Sequence, residues 1–221
     1  MSGHILKTYD DDLSELKDSV LEMGANVITG MESAMKGLTE GDREICSDVI
    51  DDDEKIDAAE KKIDEQGMSI LLRYNPVASD LRLVLSSINI CRSVERIGDH
   101  AVNIAKRSRK ILKGPSCKEV RLIEPLFLEA RQIVKSALEA YADVDEKVAL
   151  KVIKLDRQVD RLHKKLSKGL TNNIADDGSD HTESLLHILF ISRSLERIGD
   201  LAVNVAEDVV FITSAEDIRH N

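Results

Sequence analysis

The strongest constraint on this chain is a segment that it contains twice. Arg92-Ser-Val-Glu-Arg-Ile-Gly-Asp-His-Ala-Val-Asn-Ile-Ala105 returns as Arg193-Ser-Leu-Glu-Arg-Ile-Gly-Asp-Leu-Ala-Val-Asn-Val-Ala206, with eleven of fourteen positions identical and a constant register of 101 residues. A second pair accompanies it: Asp53-x-x-x-Asp57, preceded by Val49-Ile50, matches Asp156-x-x-x-Asp160, preceded by Val152-Ile153. Any two amphipathic helices share apolar spacing. They do not share Glu, Arg, Gly, Asp and Asn in the same order, so the chain reads as an internal duplication.

Each copy reads as helical. Apolar residues recur at helical spacing nearly throughout. The core must be built from aliphatic residues, since aromatics are only 3% of the chain and Trp is absent. That supply suits packed helices better than sheets, and three prolines in 221 residues leave room for long helices. The pattern predicts six: Lys7 to Leu38, Asp42 to Arg73, Val77 to Leu112, Lys118 to Tyr141, Val144 to Asn172 and Ser179 to Thr213. Gly41 and Asn75-Pro76 punctuate the first three, Asp143, Ser179 and Asp180 stand as N-caps, and Lys113-Gly114-Pro115-Ser116 is the clearest linker. The expected fold is all-α, with one antiparallel three-helix bundle in residues 1–113 and another in 118–221. Met23, Met31 and Met35, at helical spacing, are expected in the core.

Charge narrows the function classes. The formal net charge is −10, which disfavours non-specific contact with nucleic acid or an anionic membrane and permits cations and protein partners. Cys46, Cys91 and Cys117 are odd in number and far apart, which reads as reduced thiols in a cytoplasmic protein. Residues 1–12 are polar, without the apolar run of a signal peptide, and no segment approaches the roughly 18 apolar residues of a membrane span.

The repeated segments carry the chemistry. Residues four apart lie on one helix face, so Glu95, Asp99 and Asn103 form a column of oxygen-bearing side chains, and Glu196, Asp200 and Asn204 form its copy. Asp53 with Asp57, and Asp156 with Asp160, are like-charge pairs at the same spacing, which weaken a helix unless a cation or basic partner compensates them. If the middle and last helices of a module pack together, two carboxylates from each converge on a site of hard oxygen ligands, suited to magnesium, calcium, manganese or iron. Glu60 is a further ligand candidate in the first module. His163, at the matching place in the second, is a nitrogen donor that would draw that site towards iron or zinc. The competing reading is a solvated acidic face neutralised by Arg92, Arg96, Arg193 and Arg197. Repetition of the whole motif favours a metal or a specific partner. Gly98 and Gly199, inside helices where Gly costs about 1 kcal/mol relative to Ala, point to close backbone approach at the motif or, equally, to a simple helix-crossing contact. No catalytic constellation is evident: a carboxylate-bridged di-iron bundle would need Glu-x-x-His twice, and the chain offers only one Asp160-x-x-His163.

Together these segments resemble the PhoU family of bacterial phosphate-transport accessory and regulatory proteins. The likeness rests on the two Glu-Arg-Ile-Gly-Asp-x-Ala-x-Asn segments, on Asn75-Pro76-Val-Ala-Ser-Asp80-Leu-Arg82 and on Ala215-Glu-Asp-Ile-Arg-His220, and it spans both repeats. The resemblance implies two three-helix bundles related by a pseudo-twofold axis, and metal ions (iron, manganese, magnesium or zinc) on Asp53, Asp57, Glu95, Asp99, Asp156, Asp160, Glu196 and Asp200. It implies a non-enzymatic, homodimeric regulator linking the ATPase subunit of a phosphate ABC transporter to a phosphate-sensing histidine kinase. Such a regulator represses the phosphate-starvation response and meets the membrane only through its partners. The alternative from another class is a metal-dependent helical-bundle enzyme or metal-storage protein.

Overall fold

A computed structural model describes residues 2–176 and 181–215. They form α1 (Ser2–Glu40), α2 (Arg43–Asp51), α3 (Asp53–Tyr74), α4 (Ala78–Ile111), a 3-10 segment (Lys118–Ile123), α5 (Glu124–Asp143), α6 (Glu146–Asp176) and α7 (Thr182–Ser214). No strand occurs among the described residues. The first module is α1, the consecutive pair α2–α3 in place of the predicted second helix, and α4; the second is α5, α6 and α7. The two helices that carry the long repeated segment, α4 and α7, make the most extensive helix–helix contact in the molecule.

Three boundaries differ from expectation. The predicted second helix is interrupted at Asp52, in the run Asp51-Asp52-Asp53-Glu54, where Lys55 N–H reaches back only three residues to the Asp52 carbonyl at 3.0 Å. Asp is a poor interior helix former and four adjacent like charges repel. The interruption puts Asp53 and Glu54 in the first turn of α3, where the helix dipole favours carboxylates. The predicted fourth helix begins as 3-10 and becomes α only at Glu124, because Pro125 fits the first turn of a helix but not its interior. The cap of α6 is Asp145, which accepts from the N–H groups of Lys147 (2.8 Å) and Val148 (3.1 Å); Asp143 instead ends α5. The caps expected at Ser179 and Asp180 lie outside the described residues. The breaks at Gly41 (φ 77°) and Asn75 (φ 48°) stand where the sequence places them, and Asp42 caps α2.

One core runs through both modules. Val20, Met23, Val27 and Met31 of α1, Val94, Ile97 and Ile104 of α4, and Leu195, Ile198 and Val205 of α7 are all buried. At Gly24 an added Cβ would stand 2.6 Å from Leu138 Cδ1, so α1 and α5 close on each other there. Between the modules Tyr141 Oη and Ser87 Oγ share a buried hydrogen bond at 2.7 Å, and Arg82 Nε donates to the Ile212 carbonyl at 3.2 Å. At the outer end of the first module Asp80 accepts from Tyr9 (2.9 Å) and Asp12 from Tyr74 (2.8 Å), tying the start of α1 to α3 and α4.

Candidate metal-binding acid clusters

Packing of α3 on α4 brings Asp53 and Asp57 to the same place as Glu95 and Asp99. Burial and the charges of Asp99, Glu60, Asp57 and Asp53 push Glu95 up to about 7. Asp53 also lies above the usual carboxylate range, raised by burial and then by Asp57 and Asp99, with Lys106 opposing. Glu60 is therefore part of this cluster. Asp57 and Asp99 are exposed, whereas Asp53, Glu60 and Glu95 are half-buried. No ion pair reaches Asp53, Asp57, Glu95 or Asp99 among the described residues, because Arg92 turns to Asp64 at 3.8 Å.

The second cluster is built by α6 on α7. Asp156 is pushed up to about 6 by burial and then by Asp200, Asp160 and Glu196. All four carboxylates are half-buried. Here part of the competing reading is realised: Arg197 spans Glu196 (3.6 Å) and Asp200 (3.2 Å), and Lys164 pairs with Asp160 (3.1 Å). His163 is fixed by Ser192 of α7, one turn before Glu196, with Nδ1 2.7 Å from Oγ. Asn103 is exposed and Asn204 half-buried, each one turn past its acids.

The two motif glycines differ in what faces them. A Cβ at Gly199 would stand 2.8 Å from Asp156 Oδ1 and 3.1 Å from Val159 Cγ1, so the bare α7 backbone is what admits the Asp156 carboxylate. At Gly98 the nearest atoms would be Ile56 Cγ2 and Val27 Cγ2, both at 3.4 Å, an ordinary helix crossing. Beside the first cluster the break at Asp52 leaves a cleft of about 440 Å³ that reaches Asp53, Ile56 and Gly98 and is walled by Asn26, Gly30 and Ser33 of α1. Those α1 residues escaped the sequence reading, although they are small or polar and stand at helical spacing on one face of α1.

Among the described residues no three Asp, Glu, His or Cys side chains stand in a ready-formed metal arrangement. The donor set is nevertheless what a hard cation needs: clustered carboxylates, two of which, Glu95 and Asp156, are raised towards neutrality by burial and then by the acids around them. A bound divalent ion would relieve that repulsion by drawing the carboxylates inward. Lys106 beside the first cluster, and Arg197 with Lys164 at the second, compete with it.

The comparisons agree with the architecture. The PhoU domain profile matches residues 20–108 and 123–209, one copy per module. The chain is 34% identical over 215 residues to the phosphate-specific transport system accessory protein PhoU homolog of Xylella fastidiosa, covering 97% of this chain and 90% of the relative. The homolog from Pseudomonas aeruginosa is 33% identical over 221 residues, covering all of this chain and 91% of the relative. The crystal structure of PhoU from Pseudomonas aeruginosa superposes with a TM-score of 0.89 at 32% identity, covering 94% of this chain and 100% of that one. The phosphate transport system regulatory protein PhoU from Streptococcus pneumoniae gives 0.88 at 27% identity, covering 95% and 99%.

Proposed function

Because the chain belongs to the PhoU family, we propose that it is an accessory regulator of phosphate transport, acting by protein contact rather than by catalysis. The observation that carries this reading is the full-length likeness, over both modules, to proteins named as phosphate transport accessory or regulatory proteins. The finer reading follows the family resemblance. A homodimer of this chain couples the transporter's ATPase subunit to a phosphate-sensing histidine kinase and holds the starvation response off while phosphate is plentiful. Divalent or trivalent ions on the two acid clusters set the local charge that those partners meet.

The repeats support the metal part of this reading. The duplicated acids are kept on matched helices, in surroundings that raise the cost of their charge. A cation at such a cluster changes its charge by several units, enough to change the rate and strength of encounter with a charged partner. The test is a starvation-promoter reporter in a deletion strain grown in rich phosphate. Deletion should switch the reporter on, wild type should silence it, and Glu95→Gln/Asp99→Asn/Glu196→Gln/Asp200→Asn should silence it only partly. A reporter that stays silent in the deletion strain would refute the regulatory role. Full complementation by the variant would leave the regulator standing and remove the metal as its switch.

A further inference from the structure

The formal charge of −10 conceals a concentrated cationic surface. Over Lys147 to Lys168, α6 carries eight Lys or Arg against two Asp, a formal +6. The two acids, Asp156 and Asp160, belong to the cluster shared with α7. The cations are all exposed and spaced so that Lys147, Lys151, Lys154, Arg161, Lys165 and Lys168 run along one line of the helix. At 1.5 Å per residue that line is about 32 Å long. None of the six pairs with an acid among the described residues; Arg161 bonds only Gln158 Oε1 (2.7 Å) and the Arg157 carbonyl (3.2 Å). Leu150 and Leu155 stand exposed in and beside the same line, at 39% and 41%.

We propose that this face of α6 docks directly on an anionic lipid surface. Charge complementarity selects an anionic partner, and three features favour a bilayer over a folded protein. The stripe runs along one side of the helix for about two-thirds of its length, an extended line that a planar partner can meet. It is dominated by Lys, a mobile point charge suited to fluid headgroups, whereas protein interfaces favour the fixed fork of Arg and are depleted in Lys. Two exposed leucines sit where a helix lying in the interface would insert apolar side chains between headgroups.

The acidic remainder of the molecule does not cancel this attraction. Charges are screened over about 8 Å at physiological ionic strength, less than the thickness of one helix, so the acids on the far side of the bundle act weakly at the docked surface. The inference is independent of the regulatory reading. If both hold, docking would place the acid cluster of α6 and α7 close to the membrane in which a phosphate transporter sits.

The test is co-sedimentation of the full chain, with chelator throughout to exclude metal bridging. The vesicles are phosphatidylcholine alone or phosphatidylcholine with phosphatidylglycerol at about 3:1. Wild type should bind the anionic vesicles at low salt, leave them at high salt, and ignore the neutral ones. Lys147→Gln/Lys151→Gln/Lys154→Gln/Lys165→Gln should weaken binding by about tenfold or more, since each cation near an anionic leaflet contributes about fivefold before screening. Leu150→Ser/Leu155→Ser should weaken it less and leave its salt dependence intact. The same helical circular dichroism in all three proteins excludes misfolding as the cause. Equal binding by wild type and the Gln variant would overturn the proposal, as would no binding of wild type to anionic vesicles. A salt-sensitive dimer in light scattering that the Gln variant loses, without vesicle binding, would likewise overturn it and assign the stripe to a second copy.

Discussion

The matched middle helices of the two modules have diverged to opposite charge. Over residues 44–65, in register with 147–168, the first module has three Lys against ten Asp or Glu, a formal −7, where the second has +6. Both nevertheless keep the two acids that meet the following helix. What the two modules share therefore lies on the inner faces, and what separates them lies on the outer ones. The clusters themselves follow the same division. The first lies open beside the cleft at Asp52, with no ion pair on its four paired acids among the described residues. The second is deeper, holds its Asp156 against bare backbone at Gly199, and carries its own counter-ions in Arg197 and Lys164.

The glycines offer the sharpest way to break this comparison, because the same substitution should act in opposite directions. Gly98→Ala gains helix propensity of about 1 kcal/mol and meets only ordinary contacts, so its melting temperature should rise by a few degrees. Gly199→Ala gains the same propensity but drives a methyl into Asp156 and Val159, an overpacking that costs about 1–3 kcal/mol. Its melting temperature should fall, or at best stay level. Two rises of equal size would erase the difference between the sites.

A smaller effect separates the clusters by pH. Glu95 is raised from an ordinary 4.5 to about 7 and Asp156 from 3.8 to about 6. In these windows the folded protein holds protons that the unfolded chain has released, so stability falls as pH rises. Metal-free protein should melt a few degrees lower at pH 7.5 than at pH 5. Glu95→Gln should flatten the profile from about pH 4.5 to 7 and Asp156→Asn from about 3.8 to 6, so that only Glu95→Gln acts between 6 and 7. A profile that rises with pH, or that neither variant alters, would contradict the raised values.

Much of this was legible in the sequence, and the exceptions have physical causes. The duplication, the helical modules and the acids of both clusters were readable because spacing of four on a helix determines which side chains share a face. The break at Asp52 was not, since a run of acids in a sequence resembles a solvated helix surface, and the three-residue turn from Lys55 N–H to the Asp52 carbonyl is visible only in the backbone. The delayed start of α5 was carried by Pro125, whose meaning depends on where the first turn falls. The basic face of α6 was hidden by adding charge over the whole chain, when only its placement around each helix decides what a surface attracts.

The central claim is that each repeat holds its own cation site on paired carboxylates. It is tested most directly by the metal content of protein equilibrated with manganese and freed of excess, for wild type, Glu95→Gln/Asp99→Asn, Glu196→Gln/Asp200→Asn and the four combined. The account predicts that each pair of substitutions removes the metal of its own module, that the first pair removes the tighter-held metal, and that the combination leaves none while the helical circular dichroism is unchanged. Equal metal in wild type and the fourfold variant would contradict it.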